Sequence, residues 1–394
     1  MDPITHLLTR GVDTIYPSRE ALEKVLRSGK KLRLYQGFDP TGTQLHIGHG
    51  VAMRKLREWQ DLGHHVIFLI GDGTGQAGDP SGKMKARGKF MSREELRANA
   101  VDYVKQAGKI VRFDGENPVE ILYNSDWLNA LKLVDILGIA QHFSVQQLIE
   151  RDMFQERMKK GESINLREFL YPLLQGYDSV AMNVDLEMGG TDQAFNMLAG
   201  RQLVSAMQGR EKFVMTVPLL SDAKGVKIGK TEGNVIGLTD PPNDFFGKIM
   251  ALGDDAVVPC FTLLTDVPET EIEAMKKNMR PIDFKKKLAF ELTKQFNTEK
   301  EAKDAQKEFE TRFQKGDISN SNIPSVSLAA VSSGASVSEA MVTFKLASSK
   351  SEAKRLIDQG AVKYNGVLIT LPKQLLDAIP GILEVGRKAV KITS

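Results

Sequence analysis

Alternating apolar and polar residues predict a βαβ unit near the N-terminus. Residues 32–38 alternate like a strand that leads into a turn. Apolar residues then recur at helical spacing at Ala52, Leu56 and Trp59. The wholly apolar run 66–70 is typical of a strand that is buried on both faces of a parallel sheet. A strand, a helix and a strand in this order make up the βαβ unit.

Later apolar segments extend this pattern into a larger sheet. The further strand candidates are residues 121–123, 184–188 and 213–220. Together with the first unit they predict an α/β fold over residues 1–225. Its core is expected to be a Rossmann-like, doubly wound parallel sheet, because strands and helical segments alternate along the chain.

The pattern changes to helices after the Asp-Pro-Pro segment at 240–242. Two Thr-x-x-Glu segments, at Thr270 and Thr298, have the spacing of capping boxes, which open helices. The second of these helices is expected to stop at Gly316. Its apolar face consists of Ala302, Ala305, Phe309 and Phe313. We therefore predict a loop and an α-helical domain over residues 226–318.

The C-terminal part is predicted to be a separate small module. Residues 319–334 are rich in Ser, Asn and Ala with few charges, which is a linker composition. A capping box at 349–352 then opens a helix, and the Asn-Gly pair at 365–366 predicts a two-residue hairpin turn. Residues 335–394 are thus expected to form an α+β domain.

Composition restricts the class of protein. With 394 residues, 41% hydrophobic and 26% charged, the chain is predicted to be globular and to contain two or three domains. The one cysteine excludes an internal disulfide framework, which fits a reducing compartment. The apolar runs are far too short to span a membrane, and the N-terminus lacks the layout of a signal peptide. These features predict a cytoplasmic protein without membrane contact.

Charge is distributed unevenly along the chain. Residues 331–394 contain nine Lys and Arg against five Asp and Glu, a net charge of +4, whereas the whole chain carries +3. A basic C-terminal module on a near-neutral body indicates a polyanionic partner such as nucleic acid. The alternative is an ordinary solvated surface.

A Gly-rich segment follows one of the predicted strands. Residues 73–78 match G-x-G-x-x-G, so a nicotinamide oxidoreductase has to be considered. That fingerprint requires an amphipathic helix at its end. The next residues, 79–85, contain Pro and Gly and have no apolar face, and they do not have the spacing of a phosphate-binding P-loop. The match is weak, although the glycines allow the backbone to approach a ligand closely.

His46 and His49 stand three residues apart at a predicted helix start, so they share one face. They could be surface histidines without a role. A metal pair would need a third ligand. Phosphate contact is the third interpretation, because a helix N-terminus offers free N–H groups and a positive dipole end. Gly48 would let a bound ring lie on the backbone, and Thr41 would add a hydroxyl.

Lys227 and Lys230 bracket Gly229 in a segment that is too rich in Gly to be a helix. One interpretation is an exposed basic loop. The other is a mobile loop that closes over phosphates and neutralises the charge that develops on a leaving group. Neither interpretation can be chosen from the lysines alone.

Six ordered segments carry the strongest functional signal. They are YQGFDPT at 35–41, HIGH at 46–49, GDPSGK at 78–83, Tyr171 with Gln175 and Asp178, GGTDQ at 189–193 and KIGKT at 227–231. Together they resemble bacterial tyrosyl-tRNA synthetases, a family of class I aminoacyl-tRNA synthetases. The resemblance covers nearly the whole chain, and residues 335–394 resemble the S4-like RNA-binding module that such enzymes often carry.

The resemblance implies a tyrosine–tRNA ligase. Such an enzyme activates L-tyrosine with ATP to tyrosyl-adenylate and pyrophosphate, and then transfers tyrosine to the 3′-terminal ribose of tRNA(Tyr). The implied partners are ATP, with Mg²⁺ but without a dedicated metal site in the chain, L-tyrosine, tRNA(Tyr) and a second copy of the chain. The dimer interface would come from residues about 125–170, and the helical domain in 226–318 would bind the anticodon region.

The resemblance also implies roles for individual side chains. Tyrosine would be contacted by Tyr35, Asp79, Tyr171, Gln175, Asp178 and Gln193. ATP would be contacted by Gly37, Asp39, His46, Gly48, His49, Gly190, Asp192 and Lys230. Catalysis would use Thr41, His46, His49, Lys83, Arg87, Lys227, Lys230 and Thr231. RNA would be contacted by Lys350, Lys354 and Arg355.

Several positions depart from the commonest family pattern. They are Gln36, Glu187, Ala194 and the pair Ile228-Gly229. Since Tyr35 and Asp178 are both present, the departures bear on ATP affinity rather than on the identity of the amino acid. An RNA-binding or regulatory protein that keeps the fold without catalysis is the alternative from another class. The presence of both histidines and both loop lysines argues against it.

Overall fold

The computed structural model describes residues 2–79, 91–221, 225, 227–228, 235–311, 325–327, 335–374, 381–386 and 388–393. The chain divides into two compact units, Met1–Phe309 and Glu310–Ser394. Phe313 and Gly316, which were predicted to belong to a helix, lie outside the described residues. Within the described parts of the chain, no helix combines the length and the apolar character that a membrane span requires.

The first unit contains a six-stranded sheet surrounded by helices. Its first half runs α1 (Pro3–Thr9), β1 (Thr14–Tyr16), α2 (Arg19–Arg27), β2 (Arg33–Phe38), α3 (Ile47–Asp61), β3 (His65–Ile70), α4 (Thr74–Ala77), α5 (Arg93–Ala107), β4 (Glu120–Tyr123), α6 (Ser125–Leu128), α7 (Leu133–Ala140), α8 (Val145–Ile149) and α9 (Asp152–Lys159). It continues with α10 (Leu166–Ala181), β5 (Leu186–Gly190), a 3₁₀ turn (Thr191–Gln193), α11 (Ala194–Gln208), β6 (Phe213–Val217), α12 (Pro242–Met250), a 3₁₀ turn (Asp254–Ala256), α13 (Val257–Leu264), α14 (Glu269–Asn278), α15 (Pro281–Phe296) and α16 (Glu299–Phe309).

The sheet confirms the predicted α/β fold. Its strand order is β1-β6-β5-β2-β3-β4, and every neighbouring pair is parallel except β1 with β6. From β2 the chain adds β3 and then β4 on one side of the sheet, and from β5 it adds β6 on the other side. In such doubly wound sheets, ligands bind at the carboxyl ends of the strands where the direction reverses. That position here lies between β2 and β5, with Tyr35 opposite Glu187.

Burial of apolar residues explains the central βαβ unit. On α3 the predicted apolar face is buried, with Leu56 and Trp59 both 0% exposed. Every residue of β3 after the first is buried, as expected for an inner parallel strand. The rings of Phe38 and Phe68 stack between β2 and β3 with centroids 4.3 Å apart. This packing fixes the carboxyl end of β2.

The helical part α12–α16 shares one continuous apolar core with the sheet. Arg10, after α1, donates to the carbonyls of Thr265 and Val267 at 2.7 and 2.8 Å and so ties the two parts together. The capping box at Thr298 is confirmed, because its hydroxyl accepts from the Glu301 N–H at 3.2 Å. The one predicted at Thr270 is wrong, since α14 begins earlier, at Glu269, with Pro268 as its N-cap.

The second unit is a small α+β domain, as predicted. It contains β7 (Ser325–Ser327), α17 (Val337–Thr343), α18 (Lys350–Asp358), β8 (Val362–Tyr364), β9 (Val367–Leu368), β10 (Gly381–Val385) and β11 (Lys388–Thr393). Asn365 and Gly366 have φ of 50° and 79°, which is the geometry of the predicted hairpin turn. Ser349 caps α18. Strand β7 falls inside the predicted linker, and β10 and β11 were not predicted.

Candidate active site at the switch point of the sheet

Most of the candidate residues of the first unit meet around the carboxyl ends of β2 and β5. Strand β2 ends at Phe38 and leads directly into Asp39. Strand β5 ends at Gly190 and leads into the turn that contains Asp192 and Gln193. Helix α10 lies beside both and supplies Tyr171, Gln175 and Asp178. Since parallel strands share one carboxyl edge, residues far apart in sequence come together here.

Tyr35 lies on β2 and is fully buried. Its hydroxyl is 3.0 Å from Ser179 Oγ and 3.5 Å from the carbonyl oxygen of Gln175, both on α10. Burial, followed by the charge of the nearby Glu187, raises the pKa of Tyr35 well above its ordinary value. The phenol therefore stays neutral and acts through hydrogen bonds. Ser179 was not predicted as a site residue.

Asp178 is buried on α10 and is held by two donors. Trp127 Nε1 donates to its Oδ1 at 2.8 Å, and Asn124 Nδ2 donates to its Oδ2 at 3.1 Å. Burial raises the pKa of Asp178 well above its ordinary value, and these donors oppose that rise. Asn124 and Trp127 both follow the carboxyl end of β4. The sequence could have indicated them only by this position, directly after a predicted strand.

Asp39 is fixed by two hydroxyls. Thr74 Oγ1 donates to its Oδ1 and the Tyr171 hydroxyl donates to its Oδ2, each at 2.7 Å. A Cβ atom at Gly71 would lie 1.9 Å from Asp39 Oδ1, so this position requires glycine. Burial raises the pKa of Asp39 from 3.8 to about 7, although both hydroxyls favour the ionised form. The Gly-rich segment at 73–78 thus abuts a carboxylate.

Asp79 and Gln193 lie at the same edge of the sheet and contact each other. Gln193 Nε2 donates to Asp79 Oδ2 at 2.9 Å, and Gln193 Oε1 accepts from Asn196 at 2.8 Å. Gln175 Nε2 donates to Glu187 Oε1 at 3.0 Å. The predicted tyrosine-contacting residues are thus brought together, and several of them already hold one another in position.

The two histidines begin α3. His46 is the N-cap, and its Nδ1 accepts from the Gly48 N–H at 3.2 Å. His49 Nδ1 in turn accepts from the His46 N–H at 3.2 Å, and the two rings lie 4.0 Å apart. A Cβ at Gly48 would come within 3.0 Å of the His46 ring, which favours glycine there. In the described parts of the chain no three His, Cys, Asp or Glu residues are grouped so that they could hold a metal ion.

Lys227 reaches the candidate site from the loop after β6. Its Nζ lies 3.1 Å from Asp192 Oδ2. Beyond the loop, the Ile236 carbonyl accepts from the Ile47 N–H at 3.0 Å, which ties the chain to the histidine turn. Among the other predicted residues, Thr41 and Gly37 are exposed at the end of β2. The predicted residues outside the described part of the chain are Lys83, Arg87, Gly229, Lys230 and Thr231.

The candidate RNA-contacting residues lie on α18 of the second unit and are exposed. Lys350 Nζ lies 2.8 Å from Glu339 Oε1. Arg355 Nη2 lies 3.9 Å from Glu352 Oε1. Exposed pairs of this kind contribute little to stability, so both cations are available for a polyanion. Lys354 is exposed on the same helix.

Asp39 gives a prediction about stability and pH. Its pKa of about 7 exceeds 3.8, so the folded chain binds more protons at this carboxyl than the unfolded chain does. Ionisation of Asp39 therefore lowers stability increasingly as the pH rises from about 4 to about 7. The Asp39→Asn variant should gain about 2–3 kcal/mol of unfolding free energy relative to wild type between about pH 5 and about pH 8. Urea denaturation at the two pH values measures this gain.

The exposed Asp102 on α5 supplies the matched control. Asp102→Asn removes a carboxylate that water already hydrates, so the unfolding free energy should stay close to that of wild type in both measurements. A difference between Asp39→Asn and wild type that is the same at both pH values would contradict the raised pKa of the Asp39 carboxyl.

Sequence comparison assigns both units to known families. Residues 27–314 match the family model of class I tRNA synthetases (W and Y), and residues 341–378 match the S4 domain. The tyrosine–tRNA ligase of Thermotoga maritima is 41% identical over 366 residues, covering 91% of this chain and 89% of that protein. The tyrosine–tRNA ligase of Shewanella oneidensis is 42% identical over 400 residues, covering 100% of this chain and 99% of that protein.

Solved structures agree with the fold. A C-terminally truncated mitochondrial tyrosyl-tRNA synthetase of Aspergillus nidulans has a TM-score of 0.66 at 22% identity, covering 79% of this chain and 94% of that one. The tyrosyl-tRNA synthetase of Archaeoglobus fulgidus complexed with L-tyrosine has a TM-score of 0.60 at 20% identity, covering 78% of this chain and 100% of that one. The chain therefore belongs to the tyrosine–tRNA ligases of the class I tRNA synthetases and carries an S4 domain.

Proposed function

We propose that this chain activates L-tyrosine with ATP and transfers it to tRNA(Tyr). The observation that carries the proposal is the buried pair Tyr35 and Asp178, two hydrogen-bonding groups at the switch point of the sheet. A substrate phenol would add a hydrogen bond to these groups, whereas phenylalanine would place a C–H against them, and burying hydrogen-bonding capacity without a partner is costly. We infer a cytoplasmic setting, consistent with the one cysteine being free and buried.

The first step joins tyrosine to AMP. The carboxylate oxygen of tyrosine attacks the α-phosphorus of ATP, an O–P bond forms, and pyrophosphate leaves with its electron pair. No general base is needed, because the nucleophile is already an anion near neutral pH. Catalysis then depends on positioning and on neutralising charge. In the second step a terminal ribose hydroxyl of tRNA attacks the activated carbonyl, and AMP leaves.

The ammonium group of tyrosine would lie among Asp79, Tyr171 and Gln175, and Gln193 would lie against the tyrosine. A carboxylate such as Asp79 facing an ammonium makes a charge-assisted hydrogen bond, which is stronger than a neutral one. The mutual contacts of these side chains, such as Gln193 Nε2 to Asp79 Oδ2 at 2.9 Å, support a preorganised site. Such preorganisation lowers the entropy that binding would otherwise cost.

The phosphates of ATP would lie at the start of α3. His46, Gly48 and His49 stand in its first turn, where the helix dipole favours an anion. The ribose would be contacted by Gly190 and Asp192, and Gly37, Asp39 and Thr41 lie at the end of β2 beside them. Mg²⁺ would arrive bound to the phosphates. From the family resemblance we expect Lys83, Arg87 and Lys230 to stabilise the leaving pyrophosphate through their charge, and Thr231 through its hydroxyl.

Lys227 has a place in this scheme. Its ammonium pairs with Asp192 at 3.1 Å. A ribose hydroxyl that donates to Asp192 would compete for the same carboxylate. ATP binding would thus release Lys227 toward the leaving pyrophosphate, where a positive charge stabilises the transition state.

Substitution of Asp178 tests the tyrosine pocket. Asp178→Ala removes one of the two groups proposed to read the phenol, so discrimination between tyrosine and phenylalanine should fall about 10- to 100-fold. ATP–pyrophosphate exchange with each amino acid measures the ratio of kcat/KM, and circular dichroism checks the fold. Asp102→Ala, on an exposed face of α5, is the matched control. The assignment would be refuted if the wild-type chain catalysed no exchange with tyrosine, or exchanged equally well with phenylalanine and with tyrosine.

Positive charge in the second unit supports a role in tRNA binding. Lys350, Lys354 and Arg355 are exposed on α18, and a helix face of this kind suits phosphates and RNA shape more than base edges. We infer that α12–α16 of the first unit contacts the anticodon region. The domain roles proposed for residues 1–225, 226–318 and 335–394 rest on the family resemblance.

Neutralising two of these cations tests this role. Lys354→Gln with Arg355→Gln should weaken tRNA charging about tenfold or more at low salt and reduce its salt dependence, because each phosphate contact releases counterions. ATP–pyrophosphate exchange should not change. Lys24→Gln, at an exposed position of α2, should leave both activities as in wild type. If charging were unaffected by the double substitution, α18 would not bind tRNA.

An exposed apolar surface supports the proposed homodimer. Large apolar side chains are 60–74% exposed on α7, α8 and α10, where water would normally disfavour them. They are Leu133, Val134, Leu137, Val145 and Leu166. This surface falls within residues 125–170, from which the interface was expected, and we propose a second copy of this chain as its occupant.

Light scattering tests the dimer. The full chain should have about twice the monomer mass of 43.6 kDa at micromolar concentration. Leu133→Asp with Leu137→Asp should shift the mass to that of the monomer, because burying unpaired carboxylates in an interface is costly. Val101→Asp, at a 67% exposed site on α5, is the control and should stay dimeric. A wild-type chain of monomer mass would contradict the proposal.

A further inference from the structure

A buried ion pair lies beside the candidate tyrosine pocket, and the proposed reaction uses neither of its charges. Lys212 Nζ and Glu187 Oε2 are in contact, and the two side chains are 0% and 2% exposed. Desolvation of two charges offsets most of their attraction, so an apolar pair would serve stability as well. Stability alone therefore does not explain why these charges are buried here.

The pair is linked to both ends of the pocket. Glu187 Oε1 accepts from Gln175 Nε2 at 3.0 Å, and Gln175 belongs to the ammonium end. Glu187 Oε2 accepts from Ser179 Oγ at 3.2 Å, and Ser179 contacts the hydroxyl of Tyr35 at the phenol end. One carboxylate thus holds a side chain of each end.

The charges also fix the direction of the hydrogen bonds. An ammonium can only donate and a carboxylate can only accept, whereas a serine hydroxyl has one proton and two lone pairs. Lys212 Nζ donates to Ser179 Oγ at 2.7 Å, and Ser179 donates to Glu187. Ser179 then has one lone pair left, which accepts the proton of Tyr35 at 3.0 Å. The Tyr35 hydroxyl is thereby held in one orientation at the phenol end of the pocket.

The fold makes room for this cluster. A Cβ atom at Gly200 of α11 would lie 2.5 Å from Lys212 Nζ and 2.8 Å from Ser179 Oγ. At Gly176 of α10, a Cβ atom would meet the backbone of α11 at 3.1 Å. Two glycines therefore let the helices approach closely, with the polar cluster at the crossing. Lys212 also donates to the Met197 carbonyl at 3.2 Å.

We propose that Glu187 and Lys212, through Ser179, are positioning residues that set the orientation of Tyr35 and Gln175 for tyrosine. The inference rests on the proposed function and adds a determinant of specificity to it. Neither charge touches the substrate, so their effect should appear in recognition of tyrosine and not in recognition of ATP.

A double substitution separates positioning from stability. Glu187→Leu with Lys212→Met replaces the pair by apolar side chains of similar size, which folds tolerate well. We expect a melting temperature close to that of wild type. The KM for tyrosine should rise at least tenfold, and the ratio of kcat/KM for tyrosine over phenylalanine should fall at least tenfold. The KM for ATP should not change. The KM values and the ratio of kcat/KM are measured by ATP–pyrophosphate exchange with the full chain, and the melting temperature by circular dichroism.

Two further variants keep the test decisive. Ser179→Ala leaves both charges in place and removes only the bridge to Tyr35, so the KM for tyrosine should rise about fivefold. This variant decides the matter if the double variant does not fold. Glu187→Gln with Lys212→Met keeps an oxygen that can accept from Ser179 or Gln175, and it should recover part of the lost discrimination.

The matched control is an ion pair nearer the surface, between Arg201 on α11 and Glu211 before β6. Arg201 Nη2 and Glu211 Oε2 are 2.7 Å apart, and the two side chains are 31% and 57% exposed. Arg201→Met with Glu211→Leu should leave both KM values unchanged. The proposal is overturned if folded variants of the buried cluster keep wild-type KM and discrimination, or if their KM for ATP rises in parallel with that for tyrosine. Wild-type chain without tyrosine-dependent exchange would instead refute the proposed function and, with it, the positioning.

Discussion

Burial of polar groups beside the central strand is the constraint on which this site depends. Tyr35 lies on β2, inside the sheet, and its hydroxyl has no access to water. A buried hydroxyl without a partner is costly, so α10 has to bring Ser179 within 3.0 Å of it. Ser179 in turn accepts from Lys212 Nζ at 2.7 Å and donates to Glu187 Oε2 at 3.2 Å. A polar strand residue is therefore tolerated only because a helix supplies its partners.

The same constraint organises the rest of the candidate site. Asp178, one residue before Ser179, is held by Asn124 and Trp127 from beyond β4. Asn124 also donates to Thr74 at 3.0 Å, and Thr74 donates to Asp39. The hydrogen bonds thus form a chain from Asp178 on α10 to Asp39 at the end of β2. Few of these groups can move independently, which is the property that a selective pocket needs.

The sequence predicted the parts of the molecule that depend on local patterns. Alternation at 32–38 and an apolar run at 66–70 indicated the strands that the structure has at Arg33–Phe38 and His65–Ile70. The ordered motifs indicated the family, which comparison confirms. The sequence pattern did not predict an element correctly where the element was very short or where a neighbouring residue set its boundary. The three residues of β1 are too few to show a period of apolar residues. Helix α14 has Pro268 as its N-cap and begins at Glu269, before the predicted capping box at Thr270.

The hydrogen-bond and ion-pair partners of the motif residues could not be predicted from the sequence. Asn124, Ser179 and Lys212 belong to no motif, and they meet Asp178, Tyr35 and Glu187 only through the topology of the sheet. In the sequence, Glu187 stands out only as a departure from the family pattern. Its ion-pair partner, Lys212, is 25 residues away. Hydrogen-bond partners of buried groups are set by tertiary structure, and local spacing does not encode them.

The most direct test of this account is a double-mutant cycle between Tyr35 and Ser179. The ratio of kcat/KM for tyrosine over phenylalanine is measured for wild type, Ser179→Ala, Tyr35→Phe and the combination. If Ser179 acts by orienting the Tyr35 hydroxyl, Ser179→Ala should lower the ratio about fivefold in the wild-type background and leave it unchanged when Tyr35→Phe is already present. An equal loss in both backgrounds would contradict the account.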